Sequence, residues 1–158
     1  MKKYLILFLL FALSINANSQ DCSDLFISEY VEGSGNNKAL EIYNPTSNTI
    51  DLSAYMIIRY SNGSNSATPA NAIQLTGSVL ANDVHVGVIE KLNPSGAGNE
   101  IPVADSLQAK ADAFYCADYN TSNAWYWNGN DAIVLAKGSV DDILGSVLID
   151  VFGKVGED

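Results

Sequence analysis

His85 is the only histidine of the chain and stands in the alternating run Val84-His85-Val86-Gly87-Val88-Ile89. On a strand it would share a face with Gly87 and Ile89, opposite Val84, Val86 and Val88. A catalytic triad needs a base held beside a nucleophile and oriented by a third group. No serine here occupies a nucleophile-elbow setting, so His85 is expected as a surface or rim residue. One histidine and two cysteines are too few for a zinc site. Carboxylates are plentiful: Glu29 and Glu41 fall on neighbouring strand patterns, with Glu32 at the turn between them. Such a pair can hydrolyse a bond if their environments separate their pKa values. Alternation, however, sets Glu41 with Ala39 and Tyr43, away from the apolar Leu40 and Ile42, on a solvated face or against Lys38 or Arg59.

Turns carry the residues that suit a hard cation. Glu32, Asn37 and Asp131 are the candidate calcium ligands, with Asn36, Asn128 and Asn130 beside them. The spacing of an EF-hand loop is missing, and Asn128-Gly129-Asn130-Asp131 reads first as a tight turn. No cofactor is therefore expected, calcium being the one alternative. The strongest binding candidates are aromatic. Trp125-Tyr126-Trp127 follows Tyr115 and Tyr119, and flat rings of this kind suit sugars or protein partners. Trp125, Tyr126 and Tyr119 are the expected binding residues. The glycine-bearing loops, such as Gly33-Ser34-Gly35, lack both the lysine pattern and the following helix of a phosphate cradle.

The elements that must position these residues are strands. Phe26, Ser28 and Tyr30 alternate with Leu25, Ile27, Glu29 and Val31, and Gly33 to Asn37 lets the chain reverse. Further strands are expected at Ala39–Tyr43, Tyr55–Tyr60, Ala72–Leu75, Val84–Ile89, Ala132–Ala136 and Leu148–Phe152. Seven short strands with punctuated turns point to an all-β fold, an antiparallel sandwich. The segment from Lys91 to Asn123 fits this pattern least. It begins as a loop and continues through Asp105 to Ala113 as one or two helical turns or a strand edge. It is expected to bridge the two sheets.

The blocks ISEYVEGSGNNKALEIYNPT, IDLSAY, WNGNDAIVL and IDVFG, in this order, resemble the lamin-tail domain family in its secreted bacterial form. The resemblance covers nearly all of the chain beyond its first twenty residues. It implies an immunoglobulin-like antiparallel β-sandwich without an active site of its own. It also places an aromatic ring at Trp127 in the core, leaving Trp125 or Tyr126 as the exposed ring. The final block normally runs on into a last strand, so the chain is expected to be a piece of a longer protein, truncated at its C-terminal end.

Lys2-Lys3, the apolar run from Tyr4 to Leu13 and the small residues Ala17-Asn18-Ser19 have the layout of a secretory signal peptide. Its apolar run is too short for the about twenty residues that cross a bilayer. The organisation is thus a leader over 1–19 and one domain over 20–158. The mature chain is expected to be secreted or displayed at the cell surface, with no insertion in the membrane. All eighteen acidic residues follow the leader, and the whole chain carries a net charge of −10. Phosphate backbones are held largely by lysine and arginine, so direct nucleic-acid binding is not expected. In an exported chain Cys22 and Cys116 are expected to form a disulfide, with two free thiols as the alternative. Closing that loop would stabilise the fold by up to roughly 4–5 kcal/mol on the chain-entropy account.

From domain company, the resemblance implies a non-catalytic interaction, tethering or spacer module, the accessory domain of a secreted nuclease or phosphoesterase. The alternative is a carbohydrate- or surface-binding domain using its exposed aromatics, with or without calcium.

Overall fold

The computed structural model describes residues 23–157. In chain order the strands are β1 (Phe26–Glu32), β2 (Lys38–Tyr43), β3 (Ile50–Asp51), β4 (Tyr55–Tyr60) and β5 (Ala72–Gln74). They continue with β6 (Ser78–Val79), β7 (Val84–Ile89), β8 (Ala113–Tyr115), β9 (Ala132–Lys137) and β10 (Val147–Phe152). One short helix, α1 (Asp105–Gln108), falls within the segment expected to carry a helical turn. Two four-stranded sheets, ordered β1-β2-β7-β8 and β10-β9-β4-β5, face each other, and β3 pairs with β6 at the side. All pairings are antiparallel except β7 with β8. The seven expected strands are all present; β3, β6 and β8 are too short to leave a period in the sequence.

The inner faces follow the period of two. Leu40 and Ile42 of β2, Ile57 of β4, and Ile133 and Leu135 of β9 are fully buried in one cluster between the sheets. Strands β4 and β9 are apolar on both faces, because Met56, Ile58, Val134 and Ala136 form a second cluster on the far side. Val140 and Ile143, from the irregular turn over Val140–Gly145, pack against that outer face. The resulting near-continuous runs, YMIIRY and AIVLAK, are what a strand covered on both sides requires.

Both open sides of the sandwich are bridged. On one, Tyr30 of β1 stacks on Phe152 of β10 with ring centres 4.1 Å apart, and the Asp150 carboxylate accepts from the Ile27 N–H at 2.8 Å. On the other, β8 joins the first sheet, and the chain beyond it reaches the second. There Ser122 Oγ donates to the Ala72 carbonyl at 2.8 Å and the Asn123 N–H donates to that of Ala70 at 2.8 Å. The Lys91–Asn123 segment thus connects the sheets. It is braced by Asn36, whose amide donates to the Asn99 and Ile101 carbonyls at 3.0 and 2.7 Å, and by Asn37, whose oxygen accepts from the Ala104 N–H. Among the described residues no helix is long and apolar enough to cross a membrane.

Candidate functional site

The loops that follow β1, β4 and β7, and the loop that precedes β9, gather at one end of the sandwich. They enclose a cleft of about 630 Å³. Two buried cations support it, Arg59 in its lining and Lys91 behind it. Arg59 continues the inward-facing register of Tyr55 and Ile57, but at the last turn of β4 it meets loop backbone instead of side chains from the other sheet. It is 6 % exposed. One guanidinium nitrogen donates to the Tyr126 carbonyl and lies 3.6 Å from the Asp131 carboxylate; the other donates to Asn123 Oδ1 at 2.9 Å. Asp131 also accepts from the backbone N–H groups of Asn62 and Asn128 at 2.8 and 2.9 Å, so it ties together the two loops flanking the cleft.

Lys91 lies behind the lining, packed against Glu100 and Tyr126. Its ammonium donates to both oxygens of Glu100 at 2.9 and 2.7 Å and to the Ala117 carbonyl at 2.8 Å. It also sits 5.5 Å from the centre of the Tyr126 ring. Burial disfavours the charged amine, but the bonds to Glu100 and Tyr126 outweigh it and hold its pKa above that of an ordinary lysine.

Two of the three expected binding residues meet here. Tyr119 is 51 % exposed and packs edge-on against half-buried Tyr126, with centres 4.9 Å apart and planes at 80°. The Tyr126 hydroxyl donates to the Cys116 carbonyl at 3.1 Å, which fixes the ring. Trp125 corrects the expectation. It is wholly buried, stacked on Tyr115 at 4.7 Å and 5.4 Å from Trp127. Neither tryptophan offers a surface platform, because the chain around 124–127 is not a strand and both indoles turn inward. Room for Trp125 comes from Gly87, where an added Cβ would lie 2.8 Å from the indole and 2.9 Å from the Tyr115 ring.

The candidate calcium ligands are engaged by protein donors and do not converge. Glu32 accepts from the Tyr30 hydroxyl at 2.7 Å and pairs with Lys38 at 3.7 Å. Asn37 holds its own turn and Ala104, and Asp131 belongs to Arg59. Among the described residues no group of three or more His, Cys, Asp or Glu side chains could hold a metal ion. Cys116 is a free, buried thiol 3.5 Å from Ser122 Oγ, and burial pushes its pKa up. The expected disulfide is not formed among the described residues; its other half, Cys22, lies outside them. Glu29 and Glu41 face each other across β1 and β2 on the open sheet face, where Ser28 Oγ donates to Glu41 at 2.7 Å. They stand apart from the cleft.

His85 is a second correction. It is 4 % exposed, not at the rim, with Nε2 3.1 Å from the Tyr115 hydroxyl. It lies on the inner face of the sheet opposite Ile42 of β2, and Tyr115 of β8, a strand whose parallel pairing with β7 leaves no local trace in the sequence, packs edge-on against it. Burial lowers its pKa below the usual 6.5, against a smaller raising effect of Asp112. Above pH 6.5 the imidazole is neutral folded or unfolded and contributes no pH dependence. As pH falls through 6.5 the unfolded chain takes up the proton first, so stability drops until the lower folded pKa is passed. Chemical denaturation between pH 7.5 and 5 is expected to show this loss in the native protein and a shallower slope in His85→Gln. Equal slopes would mean that the histidine is not buried as described.

The residues that shape the cleft were largely invisible to pattern reading. Arg59 looks like one charge in an apolar strand, and Lys91 like a loop lysine. A lone cation inside YMIIRY was the available signal, since a fully buried strand tolerates a charge only with a partner.

Two packed sheets with their loops gathered round a cleft define an immunoglobulin-like β-sandwich. The family model of the lamin tail domain matches residues 18–150, and the chain belongs to that family, whose domains are non-catalytic immunoglobulin-like modules. A comparison with curated proteins finds no match.

Proposed function

We propose that the protein is a non-catalytic interaction and tethering module of an exported protein, which anchors or positions a neighbouring domain such as a nuclease or phosphoesterase. The observation that carries this reading is the loop-end cleft, an open concave surface held by two buried cations. The other reactive side chains support the fold: His85 is bonded to Tyr115, Cys116 lies beside Ser122, and Asp131 is paired with Arg59. The acidic surface keeps the module away from nucleic acid, leaving that contact to any catalytic neighbour. Calcium is not required, because the acidic candidates Glu32 and Asp131 already have protein partners.

The test is retention. The protein fused to a secreted reporter enzyme is expected to keep the reporter on the cell surface or its matrix. The reporter alone should be released to the medium. Equal release of both would sink the tethering role. Hydrolysis of phosphodiester or glycosidic probes that is lost on Glu41→Gln would overturn the non-catalytic one.

A further inference from the structure

We propose that the loop-end cleft is a binding site for a neutral oligosaccharide. This rests on the tethering role and names what the module would hold. The cleft volume of about 630 Å³ is within the range of small-ligand sites. Its cations are spent: Arg59 on Asp131 and backbone, Lys91 on Glu100. Neither is free to take a phosphate or a carboxylate, and an anionic ligand would also meet a strongly acidic protein.

What the cleft presents instead is polar and without a free cation: side-chain amides, with the carboxylates of Glu100 and Asp118 among them. Asn62 Nδ2 donates to Ser61 Oγ at 3.0 Å and Asn120 Nδ2 to Asp118 Oδ1 at 3.3 Å, but the amides of Asn62, Asn120 and Asn128 each keep donor and acceptor capacity, the combination that adjacent sugar hydroxyls satisfy. Asp118 is partly used in capping its own turn, accepting from the Asn120 N–H at 2.9 Å, which leaves acceptor capacity at the rim. Tyr119 adds an exposed aromatic ring for the C–H face of a sugar. It is backed edge-on by Tyr126, which Lys91 and the Cys116 carbonyl hold in place. The platform is thus formed before any ligand arrives, and little ordering is left to oppose binding.

The purified protein would be applied to an array of neutral and uronic-acid oligosaccharides, with hits measured by titration calorimetry. Cellohexaose, xylohexaose and mannohexaose serve as neutral probes and polygalacturonate as the charged one. The expected result is binding of at least one neutral probe that withstands added salt and EGTA. Tyr119→Ala should weaken it at least about tenfold, the loss of one aromatic contact, with unchanged thermal stability. Asn128→Ala, at an exposed turn, provides a second variant that keeps the fold. The inference is overturned if no neutral probe binds, if only polygalacturonate binds, or if both variants retain full affinity. Retention of the reporter alongside any of these results would leave tethering intact and remove the sugar from it. Loss of retention with sugar binding preserved would do the reverse.

Discussion

Trp125→Ala is expected to destabilise the protein by about 3–5 kcal/mol, the range for emptying a large aromatic site in a packed core. The indole is fully buried, stacked on Tyr115 and close to Trp127, and it fits against the backbone of Gly87. That pocket is walled by strands β7 and β8, which cannot collapse inward without breaking their ladder. Tyr119→Ala removes a ring that is half in solvent and is expected to change stability by no more than about 0.5 kcal/mol. Urea unfolding of the two variants decides the matter. A loss below about 1 kcal/mol for Trp125→Ala would mean that the ring is not in the core. Trp125→Phe adds a control. The buried Nε1–H has no partner among the described residues, so losing it costs no hydrogen bond, and most of the stacking is kept.

Arg59→Met is the second large effect, expected at about 3–5 kcal/mol. Removing the guanidinium leaves the Asp131 carboxylate, whose side chain is wholly inaccessible, without its countercharge. It also frees the Tyr126 carbonyl and Asn123 Oδ1 with no replacement donor. Asp131→Leu alone should be similarly costly, because it strands Arg59 and unlatches the Asn62 and Asn128 backbones. The double variant is expected to be clearly less destabilised than the sum of the two. Two apolar side chains in contact do not carry the desolvation penalty that a lone buried charge does. Strict additivity in a double-mutant cycle would show that the pair is not coupled. Because both residues sit beneath the cleft, the single variants should also loosen Tyr126.

The seven strands could be read before the structure because each carries its own period and its own turn residues. Leu40 and Ile42 alternate with Glu41, and Asn44-Pro45 ends that strand. Asn44 does more than end it. Its amide donates to the Asn48, Val79 and Leu80 carbonyls, holding the β2–β3 turn to the side strand. Local patterning could not supply that bond, since its partners lie up to thirty-six residues away.

The aromatic run shows the same divide. Its composition marked 119–127 as a place where rings collect, and Tyr119 and Tyr126 do line a cleft. Which rings face out depends on backbone direction. Trp127 lies in the core as the resemblance implies, but Trp125 joins it there, and Tyr126 is the ring of the two left at the cleft.

By itself, then, the sequence determined the strands, their inward faces, the acidic surface and the family, since each rests on neighbouring residues or on composition. Tertiary structure alone decided that β8 adds parallel to β7, that His85 and Trp125 are buried between the sheets, and that Arg59 and Asp131 meet across seventy-odd residues of chain. These are long-range contacts, and their energies depend on burial and on partners that no local window contains.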